Sequence, residues 1–119
     1  MSYLSYKNIN SFDKRRNEAI RILSKYPNRI PIICKKAKNQ DLPPINKNKY
    51  LVARDLTIGQ FICVIRNRIK LPSQIAIFLL INGHIPASAS MISELYDNYK
   101  DEDGFLYIEY CQENTFGSK

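Results

Sequence analysis

Residues 49–72 read KYLVARDLTIGQFICVIRNRIKLP, and this stretch carries clear signals for a strand and a helix. Its first five residues, rich in aromatic and branched side chains, predict a strand over residues 49–53. Thr57 and Gln60 then have the spacing of a capping box, which marks a helix start, and Pro72 ends the helix. The apolar residues at helical spacing between these signals are Ile58, Phe61, Ile62, Ile65 and Ile69. The stretch therefore predicts a strand followed by an amphipathic helix.

Two helices and a strand are predicted before this stretch. A short helix covers residues 3–9, and a longer one starts at a cap formed by Asn10 or Ser11 and ends before Pro27. The residues that we expect to form the buried stripe of the longer helix are Phe12, Ala19, Leu23 and Tyr26. The β-branched residues 29–35 then predict a strand.

Two strands and a helix are predicted after it. The apolar residues 75–81 predict a strand that ends at Asn82-Gly83, a pair typical of tight turns. A short helix follows over residues 91–99, and a last strand covers residues 105–111.

The predicted strands are apolar on both faces. In the strand at 29–35, Ile30 and Ile32 point to one face, whereas Pro31 and Ile33 point to the other. A sheet with one face in water should instead alternate apolar and polar residues. We therefore expect a two-sided α+β fold in which the central helix covers one face and the N-terminal helices cover the other.

The positive charge lies almost entirely in the first part of the chain. Residues 1–70 hold 16 Lys/Arg and 4 Asp/Glu, whereas residues 71–119 hold 2 and 7. This asymmetry indicates a basic surface for an acidic protein, a nucleic acid or an anionic membrane. A solvated surface that only maintains solubility is an equally good interpretation of charge alone.

The cysteines do not predict a disulfide framework, a zinc site or an enzyme. Cys34, Cys63 and Cys111 are odd in number, widely spaced and set in apolar segments, so we expect buried, reduced thiols. A Cys–His pair using His84 lacks a third orienting residue. We expect no metal, no cofactor and no enzymatic activity.

Nothing in the sequence predicts secretion or a membrane span. The longest apolar run, residues 75–81, is far shorter than the roughly 20 residues that cross a bilayer. The N-terminus has neither the charged lead nor the apolar core of a signal peptide. We expect a cytoplasmic protein.

Six segments, in collinear order, resemble the autophagy-related protein 8 family, the ubiquitin-like modifiers that include GABARAP and microtubule-associated protein light chain 3. They are FDKRRNEA, KYPNRIPII, KNKYLVARDLTIGQF, IRNRI, LYDNYKDEDGFLYIEY and ENTFG. The resemblance runs from about Tyr6 to Gly117. It implies a ubiquitin-like β-grasp over residues 28–111, a helical extension packed on the sheet over residues 1–27, and a flexible tail over residues 112–119.

The resemblance also implies that this protein is a substrate of other enzymes and not itself an enzyme. A cysteine protease would cleave after Gly117 and remove Ser118-Lys119. Activating and conjugating enzymes would then carry Gly117 as a thioester and join it to phosphatidylethanolamine on autophagosome or other vesicle membranes. Phe116 would offer these enzymes an apolar contact near the end of an extended arm that starts at Gln112.

A second implied function is the binding of aromatic-x-x-aliphatic peptides from autophagy receptors and adaptors, which would add a strand beside residues 49–52. By the resemblance, the aromatic pocket consists of Glu18, Ile22, Pro31, Ile33, Lys49, Leu51 and Phe105. The aliphatic pocket consists of Tyr50, Val52, Leu56, Phe61, Val64 and Ile65. Arg29 and Arg68 would contact acidic residues that flank the peptide core.

Two other functions stay open. A ubiquitin-like trafficking or cytoskeletal adaptor that is never lipidated fits the same fold. A small basic nucleic-acid-binding domain fits the charge, but no nucleic-acid motif is recognisable and the C-terminal segment is acidic. We therefore expect no nucleic acid among the partners, and a monomer in solution.

Overall fold

The computed structural model describes residues 5–113, so Phe116 and Gly117 lie outside the described residues. The elements in chain order are α1 (Tyr6–Ile9), α2 (Phe12–Lys25), β1 (Arg29–Lys36), β2 (Lys49–Ala53), α3 (Ile58–Ile69), β3 (Ile77–Leu80), α4 (Ile92–Tyr99) and β4 (Leu106–Gln112). Each predicted helix and strand is present, with bounds that differ mostly by one or two residues. Gln112, expected to begin the arm, instead ends β4, and the Glu113 amide donates to the Ala76 carbonyl over 2.8 Å.

The strands form one mixed sheet in the order β2-β1-β4-β3. The central strands β1 and β4 are parallel, and β2 and β3 pair antiparallel to them at the two edges. Asn82 and Gly83 both have positive φ (51° and 77°), as a tight turn requires, and Ile81 bridges to His84 across them. β2 is thus an edge strand of the sheet.

The larger core lies between one face of the sheet and α3 and α4. Ile30 and Ile32 of β1 meet Phe61 and Ile65 of α3, and all four are fully buried. The capping box expected at the start of α3 is present, because the Thr57 hydroxyl accepts from the Gln60 amide and the Gln60 side chain accepts from the Thr57 amide. The pattern of residues 49–72 is thereby confirmed.

The other face of the sheet is covered by α1 and α2. Tyr6 and Ala19 pack there against Ile33 and Phe105, and each of these residues is at least 94% buried. The expectation that helices cover both faces is confirmed. Among residues 5–113, no helix is both long and apolar enough to cross a bilayer.

The stripe predicted for α2 is partly wrong. Phe12 and Tyr26 are 41% and 42% exposed, whereas the charged Arg15 is 91% buried beside the buried Ala19. The Arg15 Nε donates to the Asp103 carboxylate over 2.8 Å, and its Nη1 donates to the Asn10 carbonyl over 2.8 Å. An arginine that forms an ion pair with a buried carboxylate can occupy a core position. The pattern of apolar residues along a helix cannot predict such a buried charge.

Asp103 joins the N-terminal helices to the sheet. Besides Arg15, its carboxylate accepts hydrogen bonds from the Tyr107 hydroxyl and from the Phe105 amide. The neighbouring Gly104 has φ +96°, and a Cβ there would lie 2.8 Å from the Cβ of Ala19. Only glycine allows α2 to approach the sheet this closely at this turn.

Candidate functional site

The candidate site is the outer edge of β2, which no other strand covers among residues 5–113. Side chains of β2 alternate between the two faces of the sheet. Lys49 and Leu51 lie opposite Ile33 and Pro31 of β1 and face α2. Tyr50 and Val52 face α3, where they join the larger core. An added strand would thus find a different surface on each side of β2.

The α2-facing side holds the residues predicted for an aromatic pocket: Glu18, Ile22, Pro31, Ile33, Lys49, Leu51 and Phe105. Ile33 and Phe105 are buried and form its floor together with the half-buried Ile22. Leu51 is half-buried at the strand edge. Lys49 is exposed and forms an ion pair with Glu18 of α2.

Glu18 is held by two donors, the Lys49 ammonium and the Tyr6 hydroxyl. Burial by itself would raise the pKa of Glu18, but hydrogen bonds from Lys49 and Tyr6 outweigh it and leave this pKa below its ordinary value. A lowered carboxyl pKa means that the ion pair contributes stability above the unfolded-state pKa and loses it as the pH falls through the folded-state pKa. Burial and Glu18 raise the pKa of Tyr6, which keeps its hydroxyl a donor.

A cavity of about 790 Å³ opens beside this pair, on the side of the N-terminal helices. It is lined by Tyr6, Ile9, Asn10, Lys14, Asn17, Glu18, Arg21, Asn48 and Lys49. Only Glu18 and Lys49 belong to the predicted aromatic pocket. Sequence reasoning missed the other residues because they meet only once α1 packs against α2 and β2, and no periodic pattern signals that contact.

The α3-facing side holds the residues predicted for an aliphatic pocket: Tyr50, Val52, Leu56, Phe61, Val64 and Ile65. Phe61 and Ile65 are fully buried and form the floor. Val52 and Leu56 are half-buried against the same core, and Val64 is 37% exposed on α3. The rings of Tyr50 and Phe61 meet edge to face at 5.5 Å. Apart from the more exposed Val64, the predicted residues thus belong to one apolar cluster beneath the β2 edge.

The two predicted charge contacts are exposed but lie apart. Arg29 begins β1 opposite Ala53, whereas Arg68 lies in the last turn of α3. Neither forms an ion pair with a carboxylate among residues 5–113. Arg68 lies near the hydroxyl of Tyr50 and counteracts the rise that burial causes in the pKa of that phenol.

No group of residues within 5–113 has the arrangement of a metal site. Burial raises the thiol pKa of Cys34 and of Cys111, which disfavours the thiolate that a nucleophile needs. Cys63 is exposed on α3, so the expectation that all three thiols are buried is wrong for this residue. It occupies the solvent side of a helix whose buried stripe is formed by its neighbours Phe61 and Ile65.

Comparison with known proteins gives a consistent result. A family model described as "Autophagy protein Atg8 ubiquitin like" matches residues 14–117. Autophagy-related protein 8 of Mycosarcoma maydis is 56% identical over 113 residues, covering 95% of this chain and 96% of that protein. Autophagy-related protein 8 of Candida albicans is 54% identical over 114 residues, covering 96% and 84%. The crystal structure of Trypanosoma brucei ATG8 superposes with a TM-score of 0.89 at 40% identity, covering 98% of this chain and all of that one.

Proposed function

Since this chain belongs to the Atg8 family of ubiquitin-like autophagy proteins, we propose that it is a modifier conjugated through Gly117 to phosphatidylethanolamine. The family match ends at residue 117, which supports Gly117 as the reactive terminus and Ser118-Lys119 as the segment removed. The enzymes involved would be a processing cysteine protease, an activating enzyme and a conjugating enzyme. The chain itself would be their substrate.

The chemistry of Gly117 supports this role. A carboxyl group that must enter the active sites of several enzymes needs backbone freedom and no side chain at the reacting residue, and glycine supplies both. Phe116 would give those enzymes an apolar contact beside the reacting carbonyl.

Conjugation would change where the protein resides. One acyl chain gives only marginal membrane binding, and each buried methylene adds about 0.8 kcal/mol, so two acyl chains give a stable anchor. The unconjugated protein would be cytoplasmic, and the conjugate would lie on autophagosome or other vesicle membranes.

The second part of the proposal is an adaptor function at the β2 edge. The observation that carries it is an edge strand that no other strand covers within residues 5–113, with an apolar cluster packed on each side. An aromatic-x-x-aliphatic peptide paired with β2 would place its aromatic residue on the α2 side and its aliphatic residue on the α3 side. Residues three apart in a strand point to opposite faces, as this placement requires. An acidic peptide would also suit the basic first part of the chain.

Intact mass measurement of the protein from fed and starved cells tests conjugation. We expect a form that lacks Ser118-Lys119 and carries the added mass of a phospholipid, and we expect its share to rise on starvation. A cell population that contains only the full-length, unmodified chain would contradict the proposal and favour an adaptor that is never lipidated.

Replacing Leu51 by alanine tests whether the peptide binds at the β2 edge. We expect Leu51→Ala to weaken binding of an aromatic-x-x-aliphatic peptide by about 1–3 kcal/mol, because Leu51 is the apolar side chain of β2 on the α2 side. Isothermal titration calorimetry measures the loss. Leu80→Ala is the matched control, since Leu80 is a half-buried leucine on the opposite edge strand, β3. Equal losses in the two variants would place the peptide elsewhere.

A further inference from the structure

The end of β4 is held from both sides. On the β3 side, the Glu113 amide donates to the Ala76 carbonyl over 2.8 Å. On the β1 side, the Gln112 amide donates to the side-chain oxygen of Gln40 over 2.6 Å. The last residues of a strand fray unless they are tied down, so these two hydrogen bonds fix the point at which β4 ends.

The Gln40 side chain replaces a missing continuation of β1. The parallel pairing of β1 with β4 ends at Lys36 opposite Tyr110, and the Ala37 amide then donates to the Tyr110 carbonyl over 3.0 Å. The chain next turns at Asn39, whose φ of 62° is left-handed. Gln40 follows this turn and offers Gln112 the acceptor that a longer β1 would have offered from its backbone.

The segment that carries Gln40 is itself fastened to the fold. Leu42 and Ile45 are buried in the larger core. Between them, the Pro43 carbonyl accepts from the hydroxyl of the buried Tyr110 over 2.7 Å. Gln40 is therefore presented to β4 by a segment that is packed on the core.

The chain between this anchor and the proposed reactive residue is short. Gly117 lies four residues beyond Glu113, and four residues span at most roughly 14 Å even when fully extended. An enzyme that acts on the Gly117 carbonyl must therefore contact the folded protein near the end of β4. The position of that end then decides how often the carbonyl meets the catalytic group of the enzyme.

We propose that Gln40 is a positioning residue for the enzymes that process and conjugate Gly117, because its side chain fixes the end of β4 from which Gly117 is presented. This inference rests on the proposed conjugation and adds to it a residue far from Gly117 in sequence. Without the Gln40 oxygen, Gln112 would separate from the β1 side of the sheet, and Gly117 would be presented over a wider range of positions. Restricting it again in the enzyme costs conformational entropy.

The first test measures the anchor itself by amide hydrogen exchange. Gln40→Leu removes the acceptor at similar size, whereas Gln40→Glu keeps an acceptor oxygen. We expect exchange of the Gln112 amide to rise about tenfold in Gln40→Leu and much less in Gln40→Glu, because only the leucine variant loses the hydrogen bond. Ile108, inside β4, should stay protected in both variants. An unchanged Gln112 rate in Gln40→Leu would overturn the inference.

The second test measures cleavage after Gly117 in the full-length chain by a purified processing protease of the Atg8 family. We expect Gln40→Leu to lower kcat on the order of tenfold and to change KM by less than about twofold, because the surface that the protease contacts is retained. Gln40→Glu should restore most of kcat. Gln74→Leu is the matched control, since Gln74 is an exposed glutamine in the turn before β3, and it should change neither constant.

The outcomes of the cleavage test separate this inference from the proposed conjugation. An unchanged or raised kcat in Gln40→Leu refutes the positioning role, and so does a lowered kcat that Gln40→Glu fails to restore. In either case the proposed conjugation stands as long as the original chain is cleaved after Gly117. If the original chain is not cleaved there, the proposed conjugation fails and this inference fails with it.

Discussion

Replacing Asp103 by alanine is expected to lower the free energy of unfolding by about 3–5 kcal/mol, because it leaves the Arg15 guanidinium buried without its counter-charge. Arg15 and Asp103 are 91% and 99% buried, and their ion pair spans 2.8 Å. The variant also deprives the Tyr107 hydroxyl and the Phe105 amide of their acceptor. Urea unfolding at neutral pH measures the change.

An exposed ion pair between the same two regions provides the control. Lys7 and Asp101 lie 2.6 Å apart, but the Lys7 side chain is 44% exposed. Exposed pairs contribute at most about 1 kcal/mol, so Lys7→Ala should have a small effect. If Asp103→Ala cost no more than Lys7→Ala, the buried pair would not be what fastens α2 to the sheet.

The second large effect is expected at Gly117. Gly117→Ala should abolish both removal of Ser118-Lys119 and conjugation to lipid, because a side chain at the reacting residue blocks entry into the enzymes' narrow sites. In membrane flotation, all of the variant should remain in the soluble fraction. Intact mass measurement should show that it is full-length and carries no lipid. We expect the melting temperature and the peptide affinity to be unchanged, since Gly117 belongs to neither core cluster nor to the pockets predicted at the β2 edge.

Ser118→Ala is the matched control for this prediction. It introduces the same residue, alanine, one position further on, within the segment expected to be removed, and should leave processing and conjugation intact. A Gly117→Ala protein that still reaches membranes with added phospholipid mass would assign conjugation to another residue. Loss of peptide binding in the Gly117→Ala variant would instead show that the conjugation site and the peptide-binding site at the β2 edge are not independent.

Local signals predicted most of the fold. The capping box at Thr57 and Gln60, the Asn82-Gly83 turn and the alternation in β1 each act within a few residues, and all three are present in the structure. The resemblance to a known family added the candidate pockets. The structure gathers most of their residues along the β2 edge, on the two sides that alternation predicts.

The failures have a common origin in contacts between residues that are distant in sequence. A hydrophobic stripe placed Phe12 and Tyr26 in the core of α2, but Arg15 is buried instead, through a bond to a residue 88 positions away. The cavity beside Glu18 and Lys49 likewise depends on α1, and its remaining lining residues had no signal of their own.

The sequence by itself determined the order of helices and strands, the burial of both sheet faces and the family. Caps, prolines and periodic apolar residues act locally, and family motifs are collinear, so neither needs the folded chain. Only the tertiary structure decided which charged groups are buried, namely Arg15 and Asp103. Whether a polar group is tolerated inside depends on the partner that folding brings to it, and such partners come from any position along the chain.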